Sequence, residues 1–268
     1  MTRPNKRRGS GPRHRAEARW EGRNIRLQIE YDGSNYCGWQ SQKIRRSKTI
    51  QETIEKVLRR VLQEKIRLVA SGRTDAGVHA RAQVANFKTC SKISPEKLQN
   101  ALNGLLPEDI SVSKIEEVPV SFHSCLGAKS KTYRYTILNR RFPSALLAGR
   151  VYFYPYPLDL GLMRSQAKSL LGRHDFSAFC ASNSGAKSKI RTIRKISVKR
   201  KKDGLLEIEI EADGFLYNMV RNIVGTLIQI GRGKQGARNL KRVLDSKNRG
   251  LAGPCVPAGG LSLIKVQY

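Results

Sequence analysis

Two hydrophobic periods alternate along this chain, and their order restricts the fold more than any other feature of the sequence. In residues 24–31, Ile25, Leu27, Ile29 and Tyr31 alternate with Arg26, Gln28 and Glu30, the period of a half-buried strand. Thr49-Ile50-Gln51-Glu52 is a capping box, and after it Ile50, Ile54, Val57, Leu58, Val61 and Leu62 repeat at helical spacing. Two strand-like runs follow, residues 66–70 and 82–87. Ser94-Pro95-Glu96 then opens a second helix with Leu98, Ala101, Leu102 and Leu105 facing inward, and residues 109–118 form another strand. The order β-α-β-β-α-β predicts a ferredoxin-like unit.

The second half repeats that order without obvious identity of sequence. A strand over 131–138 is followed by a helix over 159–171. A hairpin of 190–200 and 205–211 turns across Lys201-Lys202-Asp203-Gly204. Its second strand points Leu206, Ile208 and Ile210 inward and Glu207, Glu209 and Glu211 outward. A helix over 220–230, a short basic helix over 237–244 and a strand over 261–266 complete the pattern. The expected fold is α+β: two ferredoxin-like βαββαβ halves, residues 24–125 and 126–268, side by side in one extended, mostly antiparallel sheet. Residues 1–23 stand apart as a disordered basic arm, with eight Lys/Arg against Glu17 and Glu21.

Charge says what such a sheet would face. The 268 residues carry 51 Lys+Arg against 21 Asp+Glu, a net charge of +30. That is the footprint of a polyanion partner, a nucleic acid before others, which could lie in a cleft between the two halves. A ribosomal protein, or a merely solvated charged surface, has the same composition. The five cysteines (Cys37, Cys90, Cys125, Cys180, Cys255) are odd in number, scattered and without a C-x-x-C, as expected of reduced thiols in the cytoplasm. The four histidines have no metal spacing, and His123 and Cys125 make a poor start for a zinc site. No apolar run has membrane-spanning length, and the basic N-terminus lacks the apolar core of a signal peptide. Its arginines fit an organelle transit peptide, but Glu17, Glu21 and the missing apolar face weigh against that. No metal, cofactor or membrane is expected.

The chemistry-bearing stretch is Ser71-Gly72-Arg73-Thr74-Asp75-Ala76-Gly77-Val78-His79-Ala80, between two strand-like runs. Gly72 and Gly77 permit a tight path or a close approach to a ligand. Arg73 and Asp75, two apart, point the same way in extended backbone, and a guanidinium there would keep the carboxylate ionised. An ionised, positioned aspartate is a nucleophile or a base. Thr-Asp-Ala-Gly by itself is more often a turn in which the aspartate bonds its own backbone.

The longer string, Gly72 to Ala80, resembles the catalytic signature of the TruA family of tRNA pseudouridine synthases. The resemblance continues in Glu30-Tyr31-Asp32-Gly33, Gly38-Trp39-Gln40, Lys131-Thr132-Tyr133-Arg134-Tyr135, Asp175-Phe176, the run Met219 to Gly225, and Pro257 to Leu261. It covers nearly everything from Ile25 onward. Ala82 departs, since a glycine is commoner there, and so does the arm. The resemblance implies that Asp75 is the nucleophile, that Tyr133 contacts the target base, and that Arg73 and Arg221 assist near the carboxylate. It also implies uridines 38, 39 and 40 of tRNA as targets, and a homodimer in which one tRNA touches both subunits. Read without it, Tyr133 is a core or sheet-surface tyrosine, Trp39 serves equally well as core, and Arg221 is a cation oddly placed in a helix's first turn. A non-catalytic RNA-binding protein would not need the Asp75 string. A metal-dependent nuclease would need clustered carboxylates, and spacing does not join Asp32 or Asp175 to Asp75.

Overall fold

The computed structural model describes residues 22–40, 48–182, 184–233 and 239–268. Strand β1 (Arg23–Tyr31) leads to helix α1 (Ile50–Leu62), the short strand β2 (Val69–Ala70) and the long strand β3 (His79–Thr89). Helix α2 (Pro95–Leu105) and strand β4 (Ile110–Val118) complete the first half. The second runs through β5 (Ser130–Leu138), β6 (Tyr152–Phe153), α3 (Leu160–Ala167), β7 (Gly172–Asp175), β8 (Ile190–Arg200), β9 (Leu205–Ala212), α4 (Met219–Gly231), α5 (Leu240–Ser246) and β10 (Leu261–Gln267). No helix among these residues is long and apolar enough to cross a membrane.

One sheet of 10 strands holds the molecule together in the order β4-β1-β3-β10-β5-β9-β8-β7, with β2 beside β3 and β6 beside β5. The first half reads β4-β1-β3-β2, the second β10-β5-β9-β8. Both place fourth, first, third and second strands in sequence, and all these pairings are antiparallel. This is the ferredoxin-like arrangement twice over, as the hydrophobic periods predict. The halves meet where β10 lies parallel to β3, with Ser262 opposite His79 and Leu263 opposite Ala80.

The inward residues of the strands and the stripes of the helices form one core. Ile25, Leu27 and Ile29 of β1 join Ile50, Ile54 and Leu58 of α1 and Leu98 and Leu102 of α2, and the same cluster runs on through Tyr135, Ile208, Ile210 and most of α4. Alternate residues carry ion pairs instead: Arg26 with Glu116, Lys114 with Glu116 at 2.8 Å, Arg134 with Glu209 at 2.6 Å. Both N-cap side chains bond a helix amide, while Glu52, the second half of the expected capping box, pairs with Lys56 at 3.4 Å. Thr49 accepts from the Glu52 amide and Ser94 from that of Lys97.

Where structure and pattern differ, the cause is local. The run 66–70 condenses to a two-residue strand, although Ile66 and Leu68 still reach the core. Leu105 ends its helix exposed, and Leu106 is buried in its stead. Asp159 caps α3 rather than joining it, and residues 168–170 tighten into a 3₁₀ turn. The basic helix starts at Leu240 behind an Asn239 cap; 237 and 238 lie outside the described residues. Strands β6 and β7 went unread, one too short and the other, Gly-Arg-His-Asp, without alternation. Trp39 is core, 6.0 Å from the Tyr31 ring. Residues 1–21 of the expected arm lie outside the described residues. Arg23 belongs to β1, where it pairs with Glu117 at 2.8 Å and donates to the carbonyls of Ser91 and Ile93.

Candidate active site

Between β2 and β3 the loop carrying Asp75 is fixed from three sides. On the β3 side, Ser71 Oγ donates to Gln83 Oε1 at 2.7 Å, and Gln83 Nε2 donates to the Gly72 carbonyl at 2.9 Å. On the side of the 33–39 loop, the Trp39 amide donates to the Thr74 carbonyl, and buried Thr74 Oγ1 shares a 2.7 Å hydrogen bond with the Tyr31 hydroxyl. Gly38, at φ +87°, passes so close that a Cβ there would come within 2.7 Å of the Thr74 oxygen. From the third side, His79 Nε2 lies 3.0 Å from the carbonyls of both Gly149 and Gly259, while the Gly33 amide donates to its Nδ1. These bonds pin the loop's backbone and leave the side chains of Arg73 and Asp75 facing away from it.

Asp75 faces a cavity of about 450 Å³ walled by both halves of the chain. Gly72, Arg73, Thr74 and Val78 come from the loop, Lys131 and Tyr133 from β5, Leu261 from β10, and residues 215–220 from the turn into α4 and that helix's first residues. Arg73 and Asp75 do line one space with Thr74 buried between them, as alternation requires. The ring of Tyr133 is buried and meets Phe215 edge-on, centroids 5.0 Å apart.

Burial pushes the Asp75 carboxyl above its ordinary range, and the Arg221 guanidinium opposes that push. The opposing charge thus comes from α4; Arg73 is exposed to solvent. Arg221 donates to the Val256 carbonyl at 2.7 Å and to Asn218 Oδ1 at 2.9 Å. Asn218, at φ 59°, occupies the N-cap position of α4, yet its side chain holds Arg221 rather than an amide of the helix. A cation in the first turn is unfavourable to the helix dipole. Here the two carbonyl-type acceptors and the nearby carboxylate compensate. The Tyr133 hydroxyl is driven strongly upward by burial, with Tyr31 and Asp75 adding to the shift, so it stays a neutral phenol.

All four residues singled out in the sequence therefore meet at one place: Asp75, Arg73 and Tyr133 on the cavity wall, Arg221 acting from behind. Reading the sequence missed Lys131, Phe215, Tyr217 and Asn218 as parts of the wall. The signal for three of them was a turn, Asp213-Gly214, followed by aromatic residues at the mouth of an apolar helix. Among the described residues no group of three or more His, Cys, Asp or Glu is placed to hold a metal ion.

The sequence has counterparts in known proteins. A family model described as tRNA pseudouridine synthase matches residues 28–125 and 166–268, one segment in each half of the sheet. A protein of Acetivibrio thermocellus named tRNA pseudouridine synthase A is 48% identical over 246 residues, which cover 92% of this chain and 100% of the relative. Relatives in Clostridium tetani (tRNA pseudouridine synthase A 2, 48% identical) and Clostridium acetobutylicum (tRNA pseudouridine synthase A, 47%) align over the same 92% of this chain and 99% and 100% of their own. With both halves matched and relatives this similar along almost their entire length, the chain belongs to the tRNA pseudouridine synthase family.

Proposed function

We propose that this protein converts uridine to pseudouridine at positions 38, 39 and 40 of the tRNA anticodon stem-loop, with Asp75 as the nucleophile. The observation that carries the assignment of residues is the half-buried Asp75 carboxylate in a cavity shared with the Tyr133 ring and answered by Arg221. A volume of about 450 Å³ suits one nucleoside and not a duplex, so the target uridine must leave its stack to enter. Tyr133 and Phe215 offer it aromatic surface.

The reaction breaks the bond from the ribose to a ring nitrogen and makes one from the same ribose carbon to a ring carbon. That carbon then loses its proton, and the freed nitrogen gains one. No electrons are exchanged with an external partner. Asp75 adds covalently to the base or to the sugar, holding the detached fragment while the base turns. Arg221 steadies the carboxylate as its charge appears and disappears. A phenol held neutral cannot serve as a standing phenolate base. Tyr133 is therefore assigned to relay the final proton, accepting it while passing its own onward. Arg73, exposed at the rim, is assigned to the RNA backbone or the vacated stack.

Pseudouridine mapping of bulk tRNA from cells with and without the protein tests the proposal. Loss of the modification at 38–40 alone supports it, and an unchanged map overturns it. The family resemblance also supports a homodimer in which one tRNA touches both subunits, to be tested by the mass of the protein in solution with and without tRNA. Scattered thiols, four of them exposed, favour a reducing, cytoplasmic setting.

A further inference from the structure

Lys131 is a cation on the cavity wall with no counter-ion among the described residues. Lys131 stands two residues before Tyr133 on β5, about 7 Å along the strand and on the same face, and it lines the same space as Asp75. Among the described residues its ammonium makes no ion pair and no hydrogen bond. Burial lowers its proton affinity; the Cys125 thiol opposes this, and the Arg191 guanidinium adds to it. The Asp75 carboxylate is answered by Arg221, so Lys131 is not its counter-ion. A largely desolvated cation beside a second cation, with no anion of its own, is an arrangement a fold does not keep for stability.

The approach to the cavity is shaped for this side chain. Gly72 has an ordinary backbone conformation, so φ does not require a glycine there. The lysine is the neighbour a side chain there would press: a Cβ at Gly72 would lie 3.0 Å from Lys131 Nζ and 3.6 Å from Cε, so the ammonium would have to give by a few tenths of an ångström. Bare backbone at Gly72 gives the ammonium its place on the wall beside Arg73.

We propose that Lys131 binds a phosphodiester flanking the uridine held between Asp75 and Tyr133, and that Gly72 is glycine to let the ammonium reach it. This rests on the cavity being the active site. A flipped nucleotide brings one phosphate on each side of its ribose, and the anion that Lys131 lacks arrives with the substrate. The bland alternative is a lysine whose stem fills space in the core.

The test uses an RNA stem-loop with a single neutral methylphosphonate placed in turn at the 5′ and 3′ linkages of the target uridine. With unmodified RNA, Lys131→Gln should raise KM about tenfold, the scale of one charge-assisted hydrogen bond, with a smaller effect on kcat. Its binding should also lose roughly 0.7 to 0.9 from the slope of log affinity against log salt. At one of the two linkages the methylphosphonate should weaken the wild-type protein by the same factor and add nothing to Lys131→Gln. Gly72→Ala should behave like a partial Lys131→Gln and likewise lose sensitivity to that linkage. Penalties that multiply at both linkages, or an unaltered salt slope, would overturn the phosphate contact. A lowered melting temperature with normal KM in the folded fraction would assign Lys131 to the core and also overturn it. Asp75→Asn is assayed alongside. If that variant turns over, the cavity is not the active site and both readings fall; if it is dead, failure at the linkages counts against Lys131 alone.

Discussion

At the scale of single residues the decisive fact is that folding works against the charge of Asp75. Its folded pKa lies above the unfolded value near 3.9, so its contribution to stability is full below that value and is lost as pH rises through the folded pKa. Asp75→Asn is therefore expected to abolish turnover, hold tRNA affinity within a few-fold, and raise the melting temperature at neutral pH. Single-turnover assays and thermal melts check this; a near-normal rate removes Asp75 as nucleophile, and a lower melting temperature contradicts the electrostatics. The acid limb of the wild-type rate should correspondingly fall at a pH above the ordinary aspartate range. For Tyr133, Phe keeps the ring and loses the hydroxyl, whereas Leu loses both. Tyr133→Phe should bind tRNA normally but lose about tenfold or more in turnover, at or below the low end of the ~10²–10⁴ typical of proton-transfer catalysis. Tyr133→Leu should also lose stacking. If both variants only melt earlier while their folded fraction works normally, Tyr133 is a core residue. Spacing alone suggested Arg73 as the charge that keeps the carboxylate ionised, and Arg221 was named only through the family resemblance. Neighbours two apart are visible in a sequence, while a guanidinium delivered by a distant helix is not.

Among the elements, α4 is the one whose construction serves the site. It is buried almost all round, and Gly225 lets it approach the 254–256 segment so closely that a Cβ would strike the Pro254 oxygen. The same segment supplies the Val256 carbonyl that holds Arg221. The first residue of this assembly, Asn218, can be tested cleanly because glycine tolerates its left-handed conformation. Asn218→Gly should shift the melting temperature by only about 1–2 °C, since its side chain caps nothing. It should lower turnover about two- to tenfold, the scale of one lost hydrogen bond. A stability loss with no rate loss would reverse the roles. The long amphipathic elements were legible because their apolar residues recur often enough to define a face. Strands β6 and β7 were not, being held by neighbours rather than by any pattern of their own.

For the molecule as a whole, charge and topology act separately. Eight of the 51 Lys and Arg fall in residues 1–23. Arg23 is structural, so a fair deletion ends at residue 21 and removes the other seven. It should weaken tRNA binding and flatten its salt dependence by about 0.7 to 0.9 per phosphate actually contacted. The chemical step at saturating tRNA should be unaltered. An unchanged slope would show that the segment does not touch RNA. Each half of the fold could be read from its hydrophobic periods. The seam between them could not, because β3 and β10 share only two register pairs and neither strand's sequence names the other. That seam bears on how the protein is made. A ribosome delivers β3 early and β5 midway, but the strand that must lie between them comes after every other strand and helix. Until residues 261–263 have emerged, part of β3 is an open edge, the cavity lacks its Leu261 wall, and Tyr133 has no Leu263 beside it. A nascent chain can carry every residue of the Asp75 loop and still be unable to act on the tRNAs that crowd around it during its own synthesis.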